Sequence, residues 1–271
     1  MDGIVLDDFL PLECAGHSSK GNQLKWRVDN VWYKADYMGY EGLAEVMVSG
    51  LLGYSDVENY VRYFPAEIQY KNKKYMGCKS SSFLDADEEF VTVERLFRQW
   101  RGGSLSAEMG KIPDVEDRIV YMVENIINLT GLAQFGKYIA AILVLDAFFV
   151  NEDRHTNNIG VIYNMKSKSY RLSPVFDNGL ALLADTMTDF GIEKSLEECM
   201  KRVEAKPFSR DFDEQLDAAE RLYGCSIHFS FGKGEVDRIL ESCAGNYSDK
   251  VIGRVRDLLY FQMRKYGYLF I

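Results

Sequence analysis

Residues 153–158 read DRHTNN, and 24 positions after the leading Asp153 a second short polar stretch, FDNG (176–179), carries Asp177. The run Tyr138–Val150 just before the first stretch is 13 residues long and apolar except for Asp146. Such a run reads as a helix buried on nearly all sides, and it must end before Asn151-Glu152-Asp153, so DRHTNN reads as a loop. A carboxylate that orients or deprotonates a hydroxyl, followed five residues later by an amide oxygen able to ligate Mg²⁺, is the arrangement of phosphotransferase catalytic loops. Asp153 and Asn158 stand at that spacing. Asp177 follows two strand-like segments, IGVIY and YRLSPVF, joined by NMKSKS. That hairpin would fold its carboxylate back to bridge Mg²⁺ and phosphates, with Gly179 supplying an unusual backbone angle. Oxygen ligands of this hardness suit Mg²⁺ rather than zinc. Taken singly, each cluster also suits a cap or a turn; their joint order after a buried helix and around a hairpin favours the chemical reading.

Working outward, the chain divides into two halves of different periodicity. Up to about residue 90 it reads mainly as strands. QLKWRVD and VWYKADY alternate around Asp29-Asn30, and AEIQY and KYMGCKS form a second hairpin across Lys71-Asn72-Lys73. Between the hairpins, GYEGLAEVMVSGLLG places Leu43, Val46, Met47, Gly50 and Leu51 on one helical face. Beyond residue 90 the pattern turns helical, as in EDRIVYMVENIINL, where Ile119, Val123, Ile126 and Ile127 make one stripe. Four further helices are expected in SLEECMKRVE, FDEQLDAAERLYG, EVDRILESCAG and SDKVIGRVRDLLYFQMRKYG. The expectation is an α+β chain of two lobes: residues 1–90, strand-rich with one helix, and residues 91–271, helical with a two-stranded insertion. A cleft between two such lobes is a natural ligand site.

Phosphate chemistry needs a cation as well. Lys34, in VWYKADY, lies on an expected strand, and strands hold a side chain in register better than loops do. The helix that follows offers Glu41 and Glu45, one turn apart, as the carboxylate that pins it; Glu45 is favoured because it lies deeper in the helix. Ahead of the hairpin, CAGHSSKGNQLKW has Gly16, Gly21 and the small Ser18 and Ser19, a turn whose amides could cover phosphates. It is not a Walker A loop, since Asn22 follows Gly21 where that motif requires lysine.

Composition narrows the classes. The 47% hydrophobic and 27% charged residues are ordinary for a globular chain of 271 residues, which is long enough for two lobes. A net charge of −9 argues against direct nucleic-acid binding. No apolar run reaches the 18 residues of a membrane span, and no basic amphipathic helix suits a membrane surface. The N-terminus, MDGIVLDDFLPLE, is acidic where a secretory signal would be basic, which points to the cytoplasm. Five cysteines without a CxxC pair read as reduced thiols.

NEDRHTNNIGVI followed by LSPVFDNGLAL resembles the HipA-like serine/threonine kinases, whose catalytic loop shares its Asp-Arg-His-x-x-Asn order with phosphoinositide 3-kinases. GHSSKGNQLKW, VWYKADY and AKPFSRDFDEQ are similar to the same family, so the resemblance covers most of the chain. It implies a bilobal protein-kinase-like fold that transfers the γ-phosphate of ATP to a protein Ser or Thr. Asp153 would be the catalytic carboxylate, with His155 bracing its loop; Asn158 and Asp177 would hold Mg²⁺, and Lys34 the phosphates. Adenine would meet the chain near Lys79, Ser81 and Phe83. Asp146 would accept bonds from the catalytic loop as a structural group. The family also implies a phosphorylatable serine near the nucleotide loop, here Ser18 or Ser19, whose added charge would repel ATP, and an antitoxin-like protein partner. Longer members carry a subdomain before the nucleotide loop; this chain begins close to that loop, so the resemblance implies that partner contacts made there would be absent or supplied by another polypeptide. The middle residue of the Asp-x-Gly motif is Asn178, not the Phe of eukaryotic protein kinases. A lipid or small-molecule phosphotransferase and a nucleotide-binding module without catalysis are the competing readings.

Overall fold

Strand β1 (Ile4–Val5) precedes the first expected hairpin, β2 (Lys25–Val28) and β3 (Val31–Ala35), in a computed structural model that describes residues 3–12, 23–224 and 227–271. The nucleotide-loop candidates Gly16, Ser18, Ser19 and Gly21 lie outside the described residues. Helix α1 (Glu41–Leu52) follows, then the second hairpin, β4 (Phe64–Tyr70) and β5 (Lys73–Ser81). Tyr70 pairs with Lys73, which leaves a two-residue turn, and both of its residues take positive φ (Lys71 48°, Asn72 61°). Such left-handed pairs match the twist of the strands they join. Next come β6 (Glu88–Thr92), α2 (Val93–Arg101), α3 (Leu105–Met109), α4 (Val115–Thr130) and α5 (Phe135–Phe149). The remainder is β7 (Gly160–Asn164), β8 (Ser169–Leu172), α6 (Leu196–Met200), α7 (Phe212–Tyr223), α8 (Lys233–Ser242) and α9 (Asp249–Lys265).

The chain packs as two units. The first comprises Met1–Ser82, Asp177–Val203 and His228–Ile271; the second comprises Phe83–Phe176 and Glu204–Ile227. The boundary expected at residue 90 falls inside β6, within the second unit.

In the first unit a five-stranded sheet runs in the order β1-β4-β5-β3-β2, antiparallel except for the β1–β4 pair. Leu6, Trp26, Ala35, Ala66, Ile68 and Tyr70 form a core on it, with the Trp26 and Tyr70 rings edge to face at 5.2 Å. Helix α1 was expected to bury one face. Instead every residue but Gly50 is buried, Glu41, Glu45 and Ser49 included. Two glycines make that approach possible. A Cβ on Gly77 of β5 would lie 2.0 Å from the Lys34 carbonyl oxygen, and one on Gly42 of α1 would lie 2.6 Å from the Gly77 Cα.

The second unit has a three-stranded antiparallel sheet, β6-β7-β8. The expected insertion was two-stranded; β6 adds a strand, with Phe90 paired to Ile162 and Val91 to Val161. Its charged head, Glu88-Glu89, hid the alternation. Helix starts here follow side-chain caps: Thr92, Ser104, Asp114 and Asp211 each accept a backbone N–H of the first turn. Ile119, Met122, Val123 and Ile126 of α4 pack with Phe135, Ile139, Ala140 and Leu143 of α5 in the core. Of the stripe read from the sequence, Ile119, Val123 and Ile126 lie in it and Ile127 is partly buried against it, while Met122 was not read. The expected helix over SLEECMKRVE is shorter than its sequence suggests: α6 stops at Met200. Among the described residues Cys78, Cys199 and Cys243 are free thiols, and no helix is long and apolar enough to cross a membrane.

Candidate functional site

Each unit holds one polar cluster. In the first, the alternation of β3 turns Lys34 inward, and the Gly42–Gly77 approach brings Glu45 of α1 over the strand. The Lys34 Nζ donates to Glu45 Oε1 at 2.6 Å and to Asp177 Oδ1 at 2.7 Å, and lies 3.4 Å from the Tyr63 hydroxyl. The lysine and Glu45 side chains are 11% and 1% exposed, that of Asp177 26%. Burial works against the ammonium, but the charges of Asp177 and then Glu45 outweigh it and hold the Lys34 pKa well above the usual lysine range. The same burial pushes the Cys78 thiol and the Tyr63 phenol up.

Of the two carboxylates open on the sequence, Glu45 takes the lysine. Glu41, one turn earlier, accepts the amides of Tyr37, Met38 and Gly39 at the start of α1. The second oxygen of Glu45 accepts the Asn178 amide at 2.9 Å, so one carboxylate fixes both the lysine and the backbone after Asp177. The unusual backbone angle expected of Gly179 belongs to Asp177 instead (φ 59°). Gly179 serves close packing: a Cβ there would meet the Glu41 Cβ at 3.3 Å. Downstream, Leu182 and Leu183 also take positive φ, and the Tyr40 hydroxyl donates to the Leu182 carbonyl at 2.7 Å. Thr186 N donates to Met38 O at 3.0 Å, across Gly39, where a Cβ would lie 2.1 Å from the Ala184 oxygen. The stretch after Asp177 is therefore fastened to the segment that starts α1.

In the second unit, α5 ends at Val150, a β-branched residue in the left-handed region (φ 53°). Such a turn is strained, and polar bonds hold it. Asp146, wholly buried, accepts from Asn151 Nδ2 at 2.9 Å and from Arg154 Nε at 3.0 Å, while Arg154 Nη1 reaches the carbonyls of Asn158 (3.3 Å) and Phe176 (3.1 Å). Burial pushes the Asp146 carboxyl up, and Arg154 opposes that shift. This pair folds the loop: Asn158 Nδ2 donates to the Asp153 carbonyl at 2.8 Å, the Asn158 amide to the His155 carbonyl at 2.8 Å, and the His155 amide to Asp153 O at 2.9 Å. His155 braces the loop through its backbone. Its ring Nε2 stands 3.8 Å from the Asp153 carboxylate, and its buried Nδ1 has no hydrogen-bond partner. On the other carboxylate oxygen, Lys206 Nζ lies at 3.5 Å.

Lys79 and Ser81 pair with Tyr33 and Val31 in the sheet of the first unit, whereas Phe83 opens the second unit. The Phe83 ring packs on Phe176 and Phe90 (5.4 and 6.1 Å), its carbonyl accepts from Arg171 at 3.1 Å, and the Ser82 amide donates to Asn30 at 2.8 Å.

The oxygen donors fit a hard cation. In the second unit the Asn158 amide nitrogen is committed to Asp153, which leaves its carbonyl oxygen as the atom to present; in the first unit the Asp177 carboxylate is partly exposed. Among the described residues no three His, Cys, Asp or Glu side chains gather as an ion site. Two partners went unassigned on the sequence: Arg154, quoted in the motif without a role, and Lys206, 53 residues from Asp153, whose only signal was the AKPF stretch around it.

No family model matches the chain, and no curated protein matches it. Solved structures do. One is the crystal structure of a Helicobacter pylori proinflammatory kinase, CtkA, which aligns over 97% of this chain and 95% of its own with a TM-score of 0.63 at 18% sequence identity. At that identity the likeness is one of fold, and the chain has the mixed α+β fold of that kinase.

Proposed function

We propose that this chain is a kinase that uses Mg²⁺ and ATP to phosphorylate Ser or Thr hydroxyls of proteins, itself included. The observation that carries the reading is Lys34, held at 2.6 Å and 2.7 Å by Glu45 and Asp177. A buried lysine fixed between a helix carboxylate and the Asp of an Asp-x-Gly turn is what phosphate positioning requires. In this reading Lys34 holds phosphate oxygens, Asn158 and Asp177 hold Mg²⁺, and Asp153 orients the acceptor hydroxyl and takes its proton. Mg²⁺, when bound, would offset phosphate charge. The bond from the acceptor oxygen to the γ-phosphorus forms as the bond from that phosphorus to the β-phosphate oxygen breaks, and ADP leaves with the electron pair. Residues 1–90, including Gly16, Ser18, Ser19 and Gly21, handle the nucleotide, with Lys79, Ser81 and Phe83 near adenine; residues 91–271 supply the catalytic loop. The HipA-like resemblance supports a cytoplasmic toxin or effector with an antitoxin-like partner.

The test is incubation of the full chain with γ-labelled ATP and Mg²⁺, alone, with cell extract and with lipid vesicles. Label is expected on protein Ser or Thr, and none with Asp153→Ala at unchanged melting temperature. Label on lipid only, or nucleotide binding with no transfer in any arm, overturns the reading in favour of a lipid kinase or a binding module.

A further inference from the structure

We propose that Lys206 is the cation that grips the transferring phosphoryl group beside Asp153, an inference that rests on the kinase reading. The loop DRHTNN has no lysine, and its arginine faces inward: Arg154 is 1% exposed and committed to Asp146 and to the carbonyls of Asn158 and Phe176. The cation at the Asp153 carboxylate comes instead from a distant segment, with Lys206 Nζ 3.5 Å from Asp153 Oδ1.

That segment is fixed on both sides of the lysine. Glu204 N donates to Glu152 Oε1 at 2.8 Å, and Ala205 N to the Arg210 carbonyl at 2.9 Å. Gln215, fully buried, donates to the Lys206 carbonyl at 3.2 Å and accepts the Phe208 amide at 3.4 Å. Arg118 Nη1 donates to the Phe208 carbonyl at 2.6 Å. The backbone of Lys206 is thus pinned to the core while its side chain, 38% exposed, ends at a carboxylate that is 13% exposed. A half-exposed pair at this distance contributes little to stability, so the pinning is not explained by the pair alone. It is explained if the ammonium must stand at a fixed place.

Phosphoryl transfer supplies the reason. As the acceptor hydroxyl gives its proton to Asp153, its oxygen bonds to the γ-phosphorus, and the bond from that phosphorus to ADP breaks with the electron pair leaving on ADP. Negative charge then spreads over the phosphoryl oxygens next to Asp153. A cation within reach of both the carboxylate and those oxygens stabilises that distribution and needs no reorganisation to do so. Lys34 is already held by Glu45 and Asp177, whereas the Lys206 ammonium stands at the Asp153 carboxylate itself.

The test uses the full chain with Lys206→Met and Lys206→Arg. Three readouts are taken: γ-phosphate transfer from ATP, calorimetric titration with Mg-ATP and with Mg-ADP, and melting temperature. Lys206→Met is expected to lower kcat about 100-fold with KM for ATP nearly unchanged. It should leave the affinities for ATP and ADP and the melting temperature as in the unaltered chain, and be rescued in large part by Lys206→Arg. Transfer by Lys206→Met at the unaltered rate overturns this inference alone. So does a loss of transfer matched by equal losses of ADP affinity and melting temperature, which would make Lys206 a prop. A chain that transfers no phosphate, with either nucleotide failing to bind, brings down the kinase reading and the inference together.

Discussion

Lys34 and Asp177 are 143 residues apart in sequence and meet with Nζ 2.7 Å from Oδ1. Glu45 shares the lysine and also holds the amide of Asn178, so strand β3, helix α1 and the turn at Asp177 are tied at one point. Lys34→Met removes the cation that both carboxylates share. Losing one partner of so buried a pair costs about 3 kcal/mol, read as a lower urea midpoint. Mg-ATP affinity is expected to fall with it. Glu45→Gln keeps an acceptor oxygen for only one of the two donors, Lys34 or the Asn178 amide, and turns an NH2 on the other, so it should cost a comparable amount. Equal urea midpoints for Lys34→Met and the unaltered chain would show that the ion pair is idle.

The close approach of α1 to the sheet rests on Gly77. Its missing side chain leaves room for the Lys34 carbonyl, which a Cβ would meet at 2.0 Å. Backbone cannot yield as a flexible side chain can, so Gly77→Ala is expected to destabilise by about 3 kcal/mol and to weaken Mg-ATP binding through Lys34. Gly253 in α9 is the control, since a Cβ there meets nothing within 4 Å. Gly253→Ala should stabilise by about 0.5–1 kcal/mol. A Gly77→Ala chain that melts with the unaltered one would refute the packing argument.

What could be read in advance follows from the range of each interaction. The two first-half hairpins were legible because their turns are two residues long and local. Helix α5 was legible because a run of thirteen residues, apolar except for Asp146, leaves few other fates. Lys34 and Asp177 were found only through motif order, since nothing local joins them. Glu45 was favoured over Glu41 only by its depth in the helix, because one helical turn puts both on a similar face; the structure puts Glu45 on Lys34 and gives Glu41 to the amides of residues 37–39. Strand β6 was hidden by its acidic head, and Lys206 by distance along the chain. Gly179 shows a further limit. Sequence tells which residue can adopt a left-handed angle, whereas the Glu45 bond to the next amide puts that angle on Asp177.

The Asp146–Arg154 pair invites a double-mutant test. Arg154→Met leaves a fully buried carboxylate without its guanidinium and is expected to cost about 3–5 kcal/mol. Asp146→Asn with Arg154→Met takes away both charges and should recover part of that loss. It should not recover phosphate transfer, because the Phe176 and Asn158 carbonyls lose the donor that shapes the loop. The urea midpoints of the two single variants and the double variant measure the coupling. Additive losses would mean that the pair acts as two independent residues.

Asp36 sets a pH dependence. Burial first, and then the neighbouring charge of Glu41, push its carboxyl from 3.8 up to about 7, against bonds from the Gly42 amide (2.5 Å) and the Tyr247 hydroxyl (2.9 Å). Burial also pushes Glu41 up. Between pH 4 and about 7 the folded chain holds the Asp36 proton while the unfolded chain has released it. The fold therefore binds more protons, and stability falls as pH rises through that window. Asp36→Asn removes this titration yet keeps both contacts, since the Tyr247 hydroxyl can turn to accept from the amide nitrogen. The expected result is a flatter stability profile from pH 4 to 7, with a residual slope from Glu41, and a variant at least as stable as the unaltered chain at pH 8. Urea denaturation at a series of pH values decides it, and an Asp36→Asn profile as steep as the original would assign the slope to other groups.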